Sequence, residues 1–468
     1  MPIYRITPQD VLFFRDGRPM TAGAGSGGHG ARWPEPSIIF DALHAALYRA
    51  FPEVEREADG KPTWEHEHRF GRSSNRDYTR QRTQRFGSLA TVGPFPVRES
   101  QWHFPCPQDV TQRGHNHPTL LPLNEPGGST NLPAPLRFAL GSVVEPDKEG
   151  AEPWWNKAAV ERYLDSTPSS VPQCLSDDEL FAGEWSTGIA IDPATQTTSQ
   201  GEAAGRIYSA EYLRLRDGVH MGIHAEMPLK NGRPDKLVEG LARLFPASHL
   251  VICGGQQRAC HVEELSASRL DQLLPVSAAI RGSGVKWVLL SPSVFPRIEA
   301  DPTRDIRSHP GGWLPTWVCP ESGRVLLKKE DAERGAGEPR EAWRKRVRAM
   351  PQLNSHLVAA RIPKPIVLTG WSERLHLASE ANETDSARKV KGAKPTLLAV
   401  PAGAVYYFEG PDAPELADAL SWHGNPAGRD FGQTIKNRRS TLMGEKGFGL
   451  GVCGTWDFYK NVAGRPAK

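Results

Sequence analysis

The sequence is short of cysteine, of net charge and of long apolar runs, and each shortage closes off a class of protein. Six cysteines stand at 106, 174, 253, 260, 319 and 453, and no Cys-x-x-Cys pair occurs. That argues against a zinc ribbon or a disulfide framework and fits a reducing cytoplasm. The formal net charge is only +3 over 468 residues, so any surface for a polyanion has to be local. No apolar stretch approaches the ~20 residues that cross a bilayer, and Met1-Pro2-Ile3-Tyr4-Arg5 has no apolar signal core. These shortages predict a cytoplasmic chain without a membrane partner. Glycine (45) and proline (41) are plentiful, which favours loops and insertions over long helices. A hydrophobic share of 38% and a charged share of 24% are those of a soluble globular chain, and this length predicts two domains.

The element order predicts the fold. Tyr4-Arg5-Ile6-Thr7 alternates as an opening strand and leads through Val11-Leu12-Phe13-Phe14 into a glycine-rich loop. Ser37 is the expected N-cap of a helix whose Ile38, Ile39, Ala42, Leu43, Ala46, Leu47 and Ala50 share one face, with Pro52 as the stop. From 53 to 205 the pattern dissolves into an expected insertion with small elements of its own. Two alternating runs, 211–216 and 219–223, flank Asp217-Gly218 and predict a hairpin. A helix is expected after Pro234, with Leu237, Val238, Leu241, Leu244 and Phe245 on one face. A buried strand, 250–253, follows and ends in Gly254-Gly255. With a returning strand near the edge of the insertion, this is the β-α-β-β-α-β plan.

The second half repeats the order, with strands at 286–290, 366–368, 405–408 and 452–458 and a helix over about 414–422. The reading is therefore α+β: two tandem ferredoxin-like (RRM-like) domains. The first spans 1–270 with its insertion at 53–205. The second spans 271–468 with insertions at 299–355 and 372–395.

Candidate chemistry concentrates where glycine meets cations. Near the C-terminus, Lys446-Gly447-Phe448-Gly449-Leu450-Gly451 alternates glycine with apolar residues behind one lysine. Glycines admit close backbone approach, and successive exposed N–H groups make an anion nest. Phe448 and Leu450 are expected to pin the loop while Lys446 faces outward. Between 429 and 446 five basic residues, Arg438 and Arg439 among them, face two acidic ones. An RNA strand is the natural guest, held through its phosphates without sequence readout; a plain tight turn is the alternative. The N-terminal glycines 23 to 30 are bordered by Arg15, Arg18 and Arg32, which either meet RNA or pair with Asp16 or Glu35. Arg258 stands just beyond Gly254-Gly255. Residues 66–85 hold six arginines, with Tyr78 and Phe86 interleaved or adjoining, and suit single-stranded RNA or a solvated insertion. From 324 to 348, nine Lys/Arg and five Asp/Glu predict an exposed helix around 340–348.

Other motifs point away from cofactor and metal chemistry. Gly23-Ala24-Gly25-Ser26-Gly27-Gly28 fits Gly-x-Gly-x-x-Gly, yet Pro34 and Pro36 stand before the helix and no Gly-Lys-Ser/Thr follows. Neither a dinucleotide fingerprint nor a P-loop results, and no cofactor is expected. His103, Cys106, His115 and His117 match no established zinc spacing. Asp177-Asp178 reads as the acidic start of a helix.

The terminal run resembles the C-terminal glycine-rich loop of the RAMP superfamily of CRISPR proteins. The run Phe13-Phe14-Arg15-Asp16-Gly17-Arg18-Pro19, the glycines after it and Pro34-Glu35-Pro36-Ser37 are similar to one family in it, the third subunit of the type III-B Cmr complex. Further matches are Ile207-Tyr208-Ser209-Ala210-Glu211 leading to Arg214-Leu215, Gly254-Gly255 with Arg258, and Pro401-Ala402-Gly403 before Val405-Tyr406-Tyr407-Phe408. The resemblance implies two tandem ferredoxin-like domains in a cytoplasmic antiviral ribonucleoprotein. It implies a non-catalytic subunit that grips the 5′ handle of the CRISPR RNA and docks beside the large polymerase-like subunit. Its other partners would be neighbouring RAMP backbone subunits and, indirectly, target RNA. The alternative is a metal-independent RAMP endoribonuclease with His29 or His44 in acid–base work; His44 sits at the edge of the apolar helix face and reads as structural. The insertions match no family pattern.

Overall fold

The structure, a computed structural model, describes residues 3–15, 27–50, 89–124, 131–148, 150–166, 174–189, 207–226, 248–265, 269–304, 306–330, 337–376, 389–393, 395–428 and 431–459, with 191, 195, 197, 334 and 335. It is a mixed, sheet-rich α/β architecture. Arg18, the glycines before Gly27, the arginine-rich run 66–85 and the expected helix after Pro234 lie outside the described residues.

An eight-stranded antiparallel sheet carries the first half. Its order is Ser248–Cys253, Arg258–Leu265, Ile3–Pro8, Val219–Glu226, Ala90–Arg98, Gln101–Pro105, Trp154–Asn156 and Cys174–Leu175. The opening strand thus sits centrally, between Val219–Glu226 and Arg258–Leu265. The helix Pro36–Ala50 lies across this sheet. Proline suits a first helical turn, because its missing N–H would have no partner there. The helix therefore begins one residue before Ser37, which falls inside its first turn. Ile39, Leu43, Ala46 and Leu47 bury themselves against Tyr4, Ile6, Met221, Ile223, Val251 and Val262.

The returning strand is Ala90–Arg98, inside the segment read as an insertion. Pro94 and Pro96 disguise it. Its ladder with Val219–Glu226 shifts register between Gly222 and His224, opposite Gly93-Pro94, and such a bulge is where a strand tolerates proline. The two runs flanking Asp217-Gly218 are strands, Ile207–Leu215 and Val219–Glu226, joined by a tight turn closed by Val219 N–H to Arg216 O at 3.0 Å. They do not form the expected hairpin ladder. Ile207–Leu215 pairs instead with Phe181–Ile189 and, in parallel, with Gly27–Gly28. The strand ending in Gly254-Gly255 is an edge strand: Val251 and Cys253 face the core, but Leu250 is 49% exposed.

The second half has a four-stranded antiparallel sheet in the order His356–Arg361, Val405–Glu409, Gly284–Leu289, Gly451–Thr455. Helix Ala413–Leu420 buries Ala413, Leu416, Ala417 and Leu420 against it. Among the described residues Ile366–Leu368 pairs only with Leu397–Ala399, away from this sheet. The expected basic helix is Arg340–Ala349, and it buries no residue.

One core is common to both halves. Val92, Phe95, Phe104, Trp155 and Leu164 pack with Val288, Leu290, Tyr407, Trp422, Leu450, Val452 and Trp456. Gly284–Leu289 is buried on both faces. Val285, Trp287 and Leu289 line one core, and Val288 faces the shared one. Among the described residues no helix is long and apolar enough to cross a membrane.

Candidate nucleic-acid interface

The terminal glycine-rich loop sits at the seam between the two halves. A turn of 3-10 helix, Gly444–Lys446, brings the chain to Gly447, and Gly451–Thr455 then enters the sheet. Phe448 and Leu450 are fully buried, as their spacing predicts. The glycines' bare faces meet protein rather than open space. A Cβ on Gly449, whose φ is +78°, would lie 2.1 Å from Ser440 N, and one on Gly451 would lie 2.1 Å from Trp287 Nε1. Gly447 lies against Pro36, Thr91 and Gly93 of the first half.

The expected anion nest is therefore not formed by this backbone. Gly447 N–H donates to Gly444 O at 3.1 Å, Phe448 N–H to Met443 O at 3.3 Å and Gly449 N–H to Pro292 O at 2.7 Å. Leu450 N–H donates to Ser291 Oγ at 2.9 Å. A local turn and tertiary contacts have taken these four donors, which an anion would otherwise use.

The cations around the loop are engaged in the same way. Lys446 does not face outward freely: its Nζ is 2.8 Å from Asp41 Oδ1 and 5.0 Å from the Phe40 ring centre, joining the loop to the first helix. Arg438 donates from Nη1 to Thr91 O at 2.5 Å and Gly444 O at 3.0 Å. Burial lowers its guanidinium to about 10, against the opposing pull of Glu226 and Glu445. Arg439 Nε donates to Ala419 O at 2.7 Å. Asn437 Nδ2 donates to Asp418 O at 2.9 Å and Ser421 O at 2.8 Å. Together these two residues satisfy carbonyls left open at the end of helix Ala413–Leu420.

The N-terminal glycine loop ends beside this seam. Arg15 forms a β-bridge with Gly30, and Gly30 N–H donates to Glu211 Oε2 at 3.3 Å. His29 Nδ1 lies 3.6 Å from the same carboxylate oxygen, with the Trp185 ring 5.3 Å away edge-on. Arg32 is highly exposed and pairs with Asp177 at 2.7 Å, not with Glu35. Gly30, Ala31, Arg32, Asp177, Phe181, Glu211 and neighbours enclose a cleft of about 300 Å³. Asp177 starts helix Asp177–Leu180 behind a Ser176–Glu179 capping box, as expected of that acidic pair.

From Arg32 the chain runs directly to Pro36, against which Gly447 packs. Between them, Glu35 has an enclosed carboxyl that burial raises to about 7, and its Oε2 has no partner among the described residues. Arg258 opens the strand Arg258–Leu265 and lies 4.8 Å over the Tyr212 ring, within 3.9 Å of Asp10; Phe13 packs 5.6 Å from Tyr212. This half-buried cation and its two rings are separate from the terminal loop.

Sequence reasoning missed one buried charge cluster. Lys286 is 3% exposed, its Nζ donates to Tyr163 O at 3.1 Å, and it lies 3.6 Å over the Tyr163 ring. Tyr163 OH donates to Asp109 at 2.8 Å, and Tyr407 OH donates to the same carboxylate. Burial lowers Lys286 to about 8, partly offset by Asp109. Burial likewise raises Asp109, against Lys286 and the two tyrosines. The cluster ties residues before 167 to the second sheet beside a cleft of about 690 Å³ lined by Trp155, Tyr163, Arg281 and Trp456. No local motif announces it, because Asp109 and Lys286 are distant in sequence.

Of the histidine–cysteine group, His103 and Cys106 are buried, and His117 packs 5.6 Å from Trp155. Among the described residues no three His, Cys, Asp or Glu side chains gather as a metal-binding set.

A family model described as CRISPR-associated protein (Cas_Cmr3) matches residues 4–456. Comparison with curated proteins finds no match. Similar chains occur in solved assemblies, among them the following. A chain of the type III-B Cmr-beta bound to cognate target RNA and AMPPnP, state 1, is 14% identical, with 86% of each chain covered and a TM-score of 0.36. One of Cmr-beta bound to cognate target RNA is 13% identical, with 86% of each covered and a TM-score of 0.37. One of the Csm3-Csm4 subcomplex in the type III-A CRISPR-Cas interference complex is 8% identical, covering 88% of this chain and 94% of that one, with a TM-score of 0.32.

Proposed function

The chain belongs to the Cas_Cmr3 family of CRISPR-associated proteins, and from that premise we propose that it is a non-catalytic, RNA-binding subunit of a cytoplasmic type III-B effector. It holds the 5′ handle of the CRISPR RNA and docks the large polymerase-like subunit beside neighbouring RAMP subunits. The observation that carries this reading is the extent of the family match, 4–456, which spans both sheets and the seam. We read the two halves as tandem ferredoxin-like units. In the second half Gly284–Leu289 lies between Val405–Glu409 and Gly451–Thr455, with His356–Arg361 outside Val405–Glu409; in the first, Ile3–Pro8 lies between Val219–Glu226 and Arg258–Leu265, with Ala90–Arg98 outside Val219–Glu226. RNA phosphates fall to the exposed Arg15 and Arg32 and to the half-buried Arg258 of the first half. Arg438, Arg439 and Lys446 act one step back, by fixing the seam on which that surface is built.

Fluorescence anisotropy with labelled handle RNA tests this. Affinity is expected to fall by on the order of 10–100-fold between 50 and 200 mM salt for a few phosphate contacts. Binding that ignores salt, or no binding, overturns the assignment. Ultraviolet crosslinking of the assembled complex maps the peptides at the RNA 5′ end.

One contact favours a second reading, a metal-independent endoribonuclease. His29 has a carboxylate partner in Glu211 at 3.6 Å, the arrangement a general base needs. Cleavage of repeat RNA in EDTA that is lost in His29→Ala supports it; an uncut substrate removes it.

A further inference from the structure

We infer that helix Arg340–Ala349 is a second docking surface for an RNA backbone, apart from the seam and the N-terminal cluster. The inference rests on the reading of the chain as an RNA-binding subunit and adds a place to it.

The helix holds Arg340, Arg344, Lys345, Arg346 and Arg348 against Glu341 alone. Its net +4 compares with +3 for the whole chain, so the remaining residues sum to about neutral. All five cations are exposed. Arg340, Arg344 and Arg348 recur every fourth residue and form a stripe with steps of ~6 Å along one face. Like charges at this spacing repel and weaken a helix. Arg340 also stands in the first turn, where the backbone dipole disfavours a cation. Among the described residues no carboxylate pairs with Arg340, Arg344 or Lys345.

No residue of the helix is fully buried, Trp343 and Val347 being only half-buried, and an isolated segment of this length is marginal in water. Polar ties help to hold it. Lys328 Nζ donates to Arg348 O at 3.0 Å and Met350 O at 2.8 Å, and Arg346 forms a two-point pair with Glu338 at 3.0 and 2.9 Å. These ties spend the Arg346 fork and leave Arg340, Arg344 and Lys345 facing solvent. A protein element that breaks local rules without local compensation points to an outside partner. A polyanion with regularly spaced charges relieves the repulsion. Arginine forks match phosphate oxygens better than they match a scattered acidic surface.

The test uses the full chain and a single-stranded RNA of mixed sequence. Replacing Arg340, Arg344 and Lys345 together by Gln is expected to lower affinity by on the order of 10–50-fold near physiological salt and to reduce the salt slope by about 2. The variant is expected to unfold no more easily than the wild type, because no buried contact is touched and like-charge repulsion is relieved. A variant with Arg340→Lys and Arg344→Lys is expected to keep most of the affinity; a loss equal to that of the Gln variant overturns the electrostatic argument. If the wild type binds RNA and the Gln variant binds equally well with the same slope, the inference falls and the proposed function stands. If the wild type binds no RNA, both fall. If polyglutamate of matched charge displaces RNA as readily as RNA does, the face is one for acidic protein and the inference falls.

Discussion

Two basic stretches of this chain look alike in composition and face opposite ways. Around the terminal loop, Arg438 and Lys446 turn inward, to Thr91 O and Asp41 of the other half, and Lys286 is buried still deeper. Along Arg340–Ala349 the cations turn outward and bury nothing. The difference lies in the neighbours. Glycines at 447, 449 and 451 let backbone and rings of the protein itself close on the loop, so its lysine and arginines land among carbonyls and carboxylates. The helix has no glycine, and its one apolar pair, Trp343 and Val347, is only half-buried, so it is not drawn into a core. Glycine beside a cation therefore signals close approach without saying whether the visitor is a ligand or another part of the same fold.

The comparison predicts that inward positions govern stability while outward ones govern binding. The largest effect is expected at Asp109. Asp109→Ala removes the acceptor of two buried tyrosine hydroxyls and leaves Lys286 buried without its compensating charge, a loss of about 3–5 kcal/mol. An unchanged denaturant midpoint would show that the cluster does not join the halves. Gly449→Ala comes next. Its Cβ would meet Ser440 N at 2.1 Å, on a backbone with φ of +78°, so strain and overpacking together cost about 3 kcal/mol. If the variant instead unfolds like the wild type and loses only RNA affinity, the loop belongs with the outward set.

Glu35 offers a pH test of the same seam. Its folded value of about 7 lies above the ordinary 4.5, so the folded state takes up a proton that the unfolded chain releases. The resulting stabilisation is complete below about 4.5 and is lost as pH rises through 7. Glu35→Gln removes this dependence. Wild type and variant are expected to match near pH 4.5, with the variant more stable above pH 7 by on the order of 3 kcal/mol. His423, which burial lowers to about 4, is common to both proteins and cancels in the difference. Parallel stability curves would place the Glu35 carboxyl in water.

How much of this was legible in the sequence follows from the range of each signal. Ile3–Pro8, Pro36–Ala50, Gly284–Leu289, Ala413–Leu420 and the exposed helix Arg340–Ala349 declare themselves by local period and charge. Arg258–Leu265 could have been read, since buried Cys260 and Val262 alternate with exposed His261. Ala90–Arg98 could not, because its prolines are acceptable only against the bulge between Gly222 and His224. Of the candidate site, the burial of Phe448 and Leu450 was legible from their alternation with glycine. The inward turn of Lys446 and Arg438 was not, since it depends on Asp41 and Thr91, hundreds of positions away. The pairing of His29 with Glu211 was hidden for the same reason.

The smallest expected effect bears most directly on which set Lys446 belongs to. Its side chain is 18% exposed and its partner Asp41 is 50% exposed, so solvent screens much of the attraction. Lys446→Met keeps the stem that lies over Phe40 and removes only the charge, at a loss of about 0.5–1 kcal/mol. High salt is expected to shrink that loss further. A double-mutant cycle with Asp41→Asn measures the pair itself. Coupling near this size with unchanged RNA affinity keeps Lys446 among the inward cations. Absent coupling together with a reduced salt slope for RNA moves it to the outward ones, because a lysine that leaves Asp41 for a phosphate exchanges one exposed anion for another.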